Sequence, residues 1–335
     1  MADSQSLTVR AEALLNAGAV DDAVQLAATA ARNGDADALH LLGLWHVYGE
    51  PVGRNFAAAR RLFGLAADAG HSGAAITHAV FVALGAGGSA PDWQDAVRLL
   101  RIAAENDGAA ARQVALLDSM ALDKEGSPRQ LPETEALSLH PQVGVLRGLF
   151  TAAECTHVVA LADPLLTPSI IVDSKSGKSM QHPIRTSFGA VLGPIQQDLV
   201  VHALNLRIAA ATQTSIDQGE PLVILRYEPG QQYREHHDGL PGEPNQRSKT
   251  VIVYLNEDYV GGETSFPAAD LAIKGREGDA ISFVNTRLDG RIDERSRHAG
   301  QPVQRGQKWV CTRWIREKSF DPWGLRTPSP YVRAS

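Results

Sequence analysis

Two residues that could share a metal ion stand close together in the second half of the chain. His236 and Asp238 are separated by one residue, and side chains at positions i and i+2 of a β-strand point to the same face of a sheet. A second imidazole, that of His298, would complete a set of two histidines and one carboxylate. Such a set leaves open positions on Fe(II) for a chelating co-substrate and O2. The set alone does not decide the function, because His-x-Asp is a common pattern and the chain contains eleven histidines.

The sequence around these residues is more specific than the residues themselves. Residues 226–238 read RYEPGQQYREHHD, residues 261–267 read GGETSFP, and residues 298–303 read HAGQPV. Together these segments resemble the prolyl 4-hydroxylase family of Fe(II)- and 2-oxoglutarate-dependent dioxygenases, over about residues 141–316. The resemblance implies a double-stranded β-helix, or jelly roll, with flanking helices.

The resemblance also implies a cofactor site. Fe(II) would be bound by His236, Asp238 and His298, with 2-oxoglutarate and O2 as co-substrates and ascorbate as the reductant. His237 lies between two of these ligands, so strand alternation directs it to the opposite face of the sheet. We therefore assign His237 no role at the metal.

Lys308 follows His298 by ten residues. In the family, the lysine at this spacing pairs with the distal carboxylate of 2-oxoglutarate, a role that suits a compact ammonium group. The family pattern also places Tyr227 and Thr264 beside the co-substrate, where their hydroxyl groups could donate hydrogen bonds to the same carboxylate. The alternatives are a surface lysine at the start of a strand and two ordinary strand residues.

The family pattern further implies a substrate groove, covered by a flap at residues 173–183 that contains several serines and a glycine. Arginine and tryptophan also serve as rim charges and core anchors, so an ordinary structural role is the alternative for the groove residues. The residues predicted to bind the substrate are Arg185, Ser187, Glu220, Tyr233, Arg247 and Trp314.

The expected reaction is hydroxylation of a peptide or protein at prolyl residues, with succinate and CO2 as co-products. Asp238 favours hydroxylation over halogenation, because related halogenases have a small residue in place of this carboxylate. Two alternatives stay open. The enzyme could hydroxylate a free amino acid or small metabolite, or the chain could be a binding or sensing protein with a weakly active oxygenase domain.

The first 121 residues differ from the rest in their periodicity. They are rich in Ala and Leu at helical spacing, and Ala23, Ala59 and Ala96 are 36 and 37 residues apart. A period of this length indicates helix pairs stacked in a solenoid. Residues 42–71, with Leu-Gly-Leu, Tyr-Gly and Ala-Ala-Asp-Ala-Gly-His, resemble a Sel1-like repeat, a relative of the tetratricopeptide repeat.

We therefore expect a short array of about three degenerate repeats over residues 1–121. Arrays of this kind in other proteins commonly hold a peptide or protein partner. Part of the substrate could be held in this way. A stabilising or dimerising appendage is the alternative, because a repeat fold does not specify function.

Residues 122–140 interrupt the helical pattern with Gly126, Pro128 and Pro132, and they predict a linker. The oxygenase domain is expected at 141–320, followed by a tail at 321–335. The pattern Thr-Ala-Ala-Glu at 151–154 predicts the start of a helix, and a second helix is expected at about 196–212. Strands are predicted at 143–147, 170–173, 222–227, 250–255, 279–284 and 308–315.

The composition excludes some partners. A formal net charge of -6 and a pI near 6.0 give no sign of the broad basic surface that nucleic acids require. The chain shows no basic and apolar leader and no apolar stretch long enough for a bilayer, so we expect a cytoplasmic protein without a membrane partner. Cys155 and Cys311 are too few for a disulfide framework, and we expect them to be buried as small apolar residues.

Overall fold

The computed structural model describes residues 6–172, 179–181 and 184–323. Within them the chain forms two compact units. The first contains residues 6–126, 197–202 and Trp323, and the second contains the other described residues from 127 to 322. No helix in these ranges is long and apolar enough to cross a membrane.

The first unit is a series of short helices in which each helix packs against the next one along the chain. Three of them begin at Ala36, Ser72 and Gly108, which are 36 residues apart each time. The helices are α1 (Leu7–Asn16), α2 (Val20–Arg32), α3 (Ala36–Tyr48), α4 (Phe56–Asp68), α5 (Ser72–Ala83), α6 (Trp93–Ala104) and α7 (Gly108–Ser119).

The sequence period corresponds to equivalent positions in these helices. Ala23, Ala59 and Ala96 are each the fourth residue of α2, α4 and α6, and each is fully buried. The helices α3, α5 and α7 also begin in the same way: the side chains of Asp35, His71 and Asp107 accept a hydrogen bond from the backbone N–H three residues later. The prediction of a helical repeat unit is therefore confirmed.

Small residues let the helices approach closely. A methyl group at Gly43 of α3 would lie 2.6 Å from Cε1 of Phe63 in α4. Trp323, near the end of the described chain, also belongs to this unit: its ring packs on Phe56 at 4.6 Å and on Phe81 at 5.2 Å between centroids. Most of the predicted tail, residues 324–335, lies outside the described residues.

The second unit is built from antiparallel sheets. Two further helices occur along this part of the chain, α8 (Ala152–Ala162) and α9 (Leu199–Ala211). The strands are β1 (Thr134–Leu139), β2 (Gln142–Leu146), β3 (Thr167–Pro168), β4 (Ile170–Val172), β5 (Ser179–Gln181), β6 (Phe188–Leu192), β7 (Leu222–Tyr227), β8 (Tyr233–His236), β9 (Arg247–Tyr254), β10 (Val260–Gly261), β11 (Thr264–Phe266), β12 (Leu271–Ile273), β13 (Ala280–Val284), β14 (His298–Gly300), β15 (Val303–Arg305) and β16 (Lys308–Arg316).

The larger sheet has the order β1-β2-β13-β9-β16-β7-β6-β3, and the smaller has the order β12-β11-β14-β8. The two sheets face each other: Phe266 of the smaller sheet packs edge-on against Phe283 of the larger at 5.0 Å, and the Tyr254 hydroxyl donates to Thr264 Oγ1 at 3.0 Å. Strands that alternate between two facing sheets form the predicted jelly roll. The strands β4 and β5, and β10 and β15, form two separate pairs.

Two local features of this unit bear on the sequence interpretation. Thr151 and Glu154 form the expected capping box at the start of α8, and the buried Glu154 carboxylate pairs with Arg207 of α9 at 2.7 and 2.8 Å. Strand β1, by contrast, lies in the segment 122–140, for which the sequence indicated a linker. We assign Thr134–Leu139 to the larger sheet, because its backbone pairs with β2 in antiparallel register.

The contact between α3 and α4 gives a test of the repeat packing. We expect Gly43→Ala to lower the free energy of unfolding by about 1–3 kcal/mol, because the added methyl group overlaps the buried Phe63 ring. Alanine has a higher helix propensity than glycine, so helix propensity alone would raise the free energy of unfolding of Gly43→Ala. The measurement is thermal unfolding followed by circular dichroism.

The matched control for this test is Gly108→Ala at the start of α7, where the nearest atom to an added methyl group is the mobile Arg112 Nη1 at 3.5 Å. We expect Gly108→Ala to leave the melting temperature unchanged or to raise it. Equal melting temperatures for the two variants would contradict the close approach of α3 and α4.

Candidate active site

The two histidines of the predicted metal site are direct neighbours in the smaller sheet. In the antiparallel pairing of β8 with β14, His236 lies opposite His298. Asp238 follows two residues after β8 ends, and its oxygens lie 3.6 Å from His236 Nε2 and 3.7 Å from His298 Nε2. Ligand atoms of these three residues all lie within 4.8 Å of one another. Fold and sequence thus bring three potential ligands to one point.

Backbone hydrogen bonds fix the orientation of both imidazole rings. The Nδ1 atom of His236 lies 2.8 Å from the carbonyl oxygen of Arg234, and that of His298 lies 3.0 Å from the carbonyl oxygen of Ser296. A carbonyl oxygen only accepts, so each Nδ1 carries the proton. In a neutral ring, Nε2 then keeps its lone pair for a metal ion.

Burial and charge set the protonation states of His298 and Asp238. Burial lowers the pKa of His298 to about 4, although the Asp238 carboxylate opposes this effect, so the ring is neutral near pH 7. For Asp238, burial alone would raise the pKa, but the two imidazoles and the Thr250 hydroxyl outweigh burial and hold the pKa well below its usual range. A carboxylate and two neutral imidazoles are the donor set that Fe(II) takes in this type of site.

Aromatic rings enclose the two imidazoles. Tyr233 stacks on His236 with 3.4 Å between ring centroids, and Phe283 packs edge-on against His298 at 4.6 Å. His237 points elsewhere and pairs with Glu294 at 3.0 Å. The enclosure restricts water and leaves the ligand atoms facing a cavity between the two sheets, lined by the metal triad and by Lys308, Tyr227 and Thr264 among others.

The residues predicted to bind 2-oxoglutarate lie in the same cavity. Lys308 of β16 pairs directly with Tyr227 of β7 in the larger sheet. The buried Lys308 ammonium donates to the carbonyl oxygen of Gly262 at 2.6 Å and lies 5.7 Å from the centre of the Tyr227 ring. Thr264, on the facing sheet, accepts the hydrogen bond from Tyr254 and has its own hydroxyl proton left to donate.

The protonation states of this group suit an anionic ligand. Burial raises the pKa of Tyr227, which keeps its hydroxyl group as a donor. Burial also lowers the pKa of Lys308 to about 8, with partial compensation from Glu263. A carboxylate beside Lys308 would favour its charged form, because an opposite charge nearby raises the pKa of an amine.

The six predicted substrate residues fall into two groups. Tyr233 and Trp314 line the cavity. Arg185 lies over the Tyr233 ring at 5.4 Å, and the buried Ser187 hydroxyl lies 3.1 Å from that of Ser169. Tyr233 and Trp314 thus place aromatic groups at the cavity, with Arg185 against Tyr233. The flap predicted at 173–183 lies largely outside the described residues.

Glu220 and Arg247 form a separate buried cluster. Both oxygens of Glu220 accept hydrogen bonds from Arg247, at 2.6 and 2.7 Å, and one of them also accepts from Arg316 at 2.5 Å. The Arg247 guanidinium group lies 3.9 Å from the centre of the Trp314 ring. In this arrangement Glu220 holds Arg247 against Trp314, and its carboxylate lies outside the cavity lining.

Sequence reasoning missed the residues behind Asp238. The Thr250 hydroxyl donates to Asp238 Oδ2 at 2.7 Å and accepts from Asn285 Nδ2 at 2.8 Å, and both residues are fully buried. Thr250 was expected only as a strand residue, and Asn285 follows the strand β13. The full burial of Asn285, whose amide then requires partners, is visible only in the structure, so the sequence carried no signal for this pair.

Comparison with known proteins agrees with this geometry. Residues 222–316 match the family model described as the 2OG-Fe(II) oxygenase superfamily. Prolyl 4-hydroxylase 1 of Arabidopsis thaliana is 36% identical over 204 residues, which cover 55% of this chain and 72% of that protein. The match shows a long shared region.

Two solved structures align with parts of the chain. The viral collagen prolyl hydroxylase of Paramecium bursaria Chlorella virus-1 aligns with a TM-score of 0.43 and 25% identity, over 52% of this chain and 95% of that one. A Sel1 repeat protein from Oxalobacter formigenes aligns with a TM-score of 0.27 and 24% identity, over 29% of this chain and 40% of that one. Family membership follows from the sequence matches alone.

The chain is a 2OG-Fe(II) oxygenase. Within that superfamily it belongs to the prolyl 4-hydroxylase family, and it is a 2-oxoglutarate-dependent dioxygenase. The family implies Fe(II), 2-oxoglutarate and O2. The cavity fits these groups. Two imidazoles and a carboxylate can bind the metal, and a buried ammonium group and hydroxyl groups can donate hydrogen bonds to the 2-oxoglutarate carboxylate.

Lys308 provides a test of the co-substrate side of the cavity. We expect Lys308→Ala to raise the KM for 2-oxoglutarate by about tenfold to a hundredfold, because a hydrogen bond to a charged group contributes about 1.5–3 kcal/mol. We also expect the KM of the unchanged protein to rise as the pH passes above 8, where the Lys308 ammonium loses its proton. Both are measured from the rate of succinate formation.

The control variant is Lys274→Ala, which removes a lysine that donates to the carbonyl oxygen of Tyr259. Its KM and pH profile should match those of the unchanged protein. A Lys308→Ala variant that keeps the original KM, or that keeps the rise above pH 8, would show that the carboxylate binds elsewhere.

Proposed function

We propose that this enzyme hydroxylates prolyl residues in a peptide or protein, with succinate and CO2 as co-products. The observation that carries the proposal is the joint placement of two sets of residues in one cavity. His236, Asp238 and His298 lie on one side, and Lys308 with Tyr227 lies on the other.

In this proposal the bound iron supplies the oxidising chemistry, and the side chains orient the reactants. His236, Asp238 and His298 would hold Fe(II), the donor set of two histidines and one carboxylate that this ion takes in oxygenases. Lys308 and its neighbouring hydroxyl groups would hold the distal carboxylate of 2-oxoglutarate. Ascorbate would keep the iron reduced between turnovers.

The cavity walls support an extended apolar substrate. The aromatic side chains of Trp314 and Tyr233 line the cavity beside the metal ligands, and aromatic rings pack well against a proline ring. Glu220 keeps Arg247 in place behind Trp314 through two charged hydrogen bonds. Arg185, beside Tyr233, and the buried Ser187 add polar groups for a peptide backbone. The relatives named above include a prolyl 4-hydroxylase and a collagen prolyl hydroxylase.

We also propose that the helical repeats hold a part of the substrate outside the cavity. The first 126 residues carry 9 Lys and Arg against 15 Asp and Glu, a net charge of -6, which equals the net charge of the whole chain. A peptide with basic residues away from the target proline would therefore be favoured by this unit.

The direct test is mass spectrometry of proline-containing peptides after incubation with Fe(II), 2-oxoglutarate and ascorbate. We expect a gain of one oxygen atom on proline and an equal amount of succinate, and neither product with His236→Ala, because that variant lacks a metal ligand. His237→Ala is the matched control and should retain turnover.

The same experiment separates the alternatives. Hydroxylation of a free amino acid but not of peptides would contradict the peptide substrate. Binding of iron and 2-oxoglutarate without turnover on any peptide would favour a sensing protein. A photoreactive group at the distal end of a long basic substrate should cross-link to residues 6–126; cross-links confined to the oxygenase unit would contradict a role for the repeats.

A further inference from the structure

The buried residues Asn285 and Thr250 form a hydrogen-bonded chain that ends on the proposed metal ligand Asp238. Asn285 Nδ2 lies 2.8 Å from Thr250 Oγ1, which lies 2.7 Å from Asp238 Oδ2. Thr250 and Asn285 are both 0% exposed, and Asp238 is 5% exposed. Water therefore cannot replace either contact at low cost.

The chemistry of the three groups fixes the direction of this chain. A hydroxyl group has one proton to donate, and a carboxylate that binds a metal ion can only accept. Thr250 therefore donates to Asp238, so Thr250 Oγ1 must accept from Asn285. The Asn285 amide therefore cannot be flipped, because its oxygen and the Asp238 oxygen would then both require the single hydroxyl proton of Thr250.

Asn285 also connects to the other metal ligand through the backbone. Its carbonyl oxygen accepts from Asp293 N at 2.8 Å, and the Asp293 carbonyl oxygen accepts from both the backbone N–H and the hydroxyl of Ser296. The Ser296 carbonyl oxygen in turn accepts from His298 Nδ1 at 3.0 Å. One residue at the end of β13 is thus linked to both Asp238 and His298.

We propose that Asn285 and Thr250 are positioning residues for the metal site. With Oδ2 of Asp238 bound to the Thr250 hydroxyl, Oδ1 would be the carboxylate oxygen available to a metal ion. The inference rests on the metal site of the proposed function. It adds that the geometry and affinity of this site depend on two residues that do not touch the metal.

Metal affinity measured on the full chain tests the proposal without turnover. Co(II) replaces Fe(II) as a probe that is stable in air, and its Kd is obtained by calorimetric titration. We expect Thr250→Val, which removes the hydroxyl group and keeps the shape, to raise the Kd by about 10- to 100-fold, the usual effect of losing a hydrogen-bond partner of a ligand. Thr250→Ser keeps the hydroxyl group and should restore most of the affinity.

The polarity of the chain gives a second variant. Asn285→Asp has the same shape, but its carboxylate would accept the hydrogen bond from the Thr250 hydroxyl. A lone pair of the Thr250 oxygen would then face the Asp238 carboxylate. We expect Asn285→Asp to weaken Co(II) binding more than Asn285→Ala does. The control is Ser282→Ala on the same strand, whose side chain points away from the face of Phe283 and Asn285, and which should bind Co(II) normally.

Melting temperatures of the metal-free variants separate this role from a general loss of stability. The proposal predicts that the Co(II) Kd values of Thr250→Ser and Thr250→Val differ strongly. Any difference between the melting temperatures of these two variants should be too small to account for the difference in Kd. Equal Kd values for Thr250→Val, Thr250→Ser and the unchanged protein would overturn the proposed positioning role. Failure of the unchanged protein to bind Co(II) would instead overturn the metal site itself.

Discussion

The pairing of β8 with β14 is the interaction on which the active site depends. It sets His236 directly opposite His298, so two residues that are 62 positions apart in sequence become neighbours in one sheet. Each ring is then held by a carbonyl oxygen of its own strand region. The facing larger sheet supplies Thr250 behind the carboxylate and Lys308 beside the cavity.

Alternation along the strands explains how one fold can serve both binding and stability. Lys308, Val310, Thr312 and Trp314 of β16 are spaced by two, and all four line the cavity. Between them, Cys311 is fully buried and Arg313 donates to the carbonyl oxygens of Asn205 and Ile216. One face of the strand thus carries the chemistry, while the other anchors the sheet to its surroundings.

Much of this organisation could be predicted because its signals are local. The capping box at Thr151 and the strand at 222–227 each lie within a short stretch of sequence, and the repeats are recognised from the regular 36-residue spacing of similar residues. Strand β1 was missed because Pro128, Pro132 and charged residues obscure a short, largely exposed strand. The contacts of Thr250 and Glu220 were missed for a different reason: their partners are 12 to 96 residues away, and no local pattern encodes them.

The central claim is that one cavity holds both Fe(II) and 2-oxoglutarate, and an anaerobic titration tests it most directly. Fe(II) is added to the protein without O2, then 2-oxoglutarate, and visible absorption reports the chelation of iron by the co-substrate. We predict that a new charge-transfer band develops with one Fe(II) per chain and is lost in His298→Ala. A protein that binds both compounds without any change in visible absorption, or a His298→Ala variant that keeps the band, would contradict the assignment.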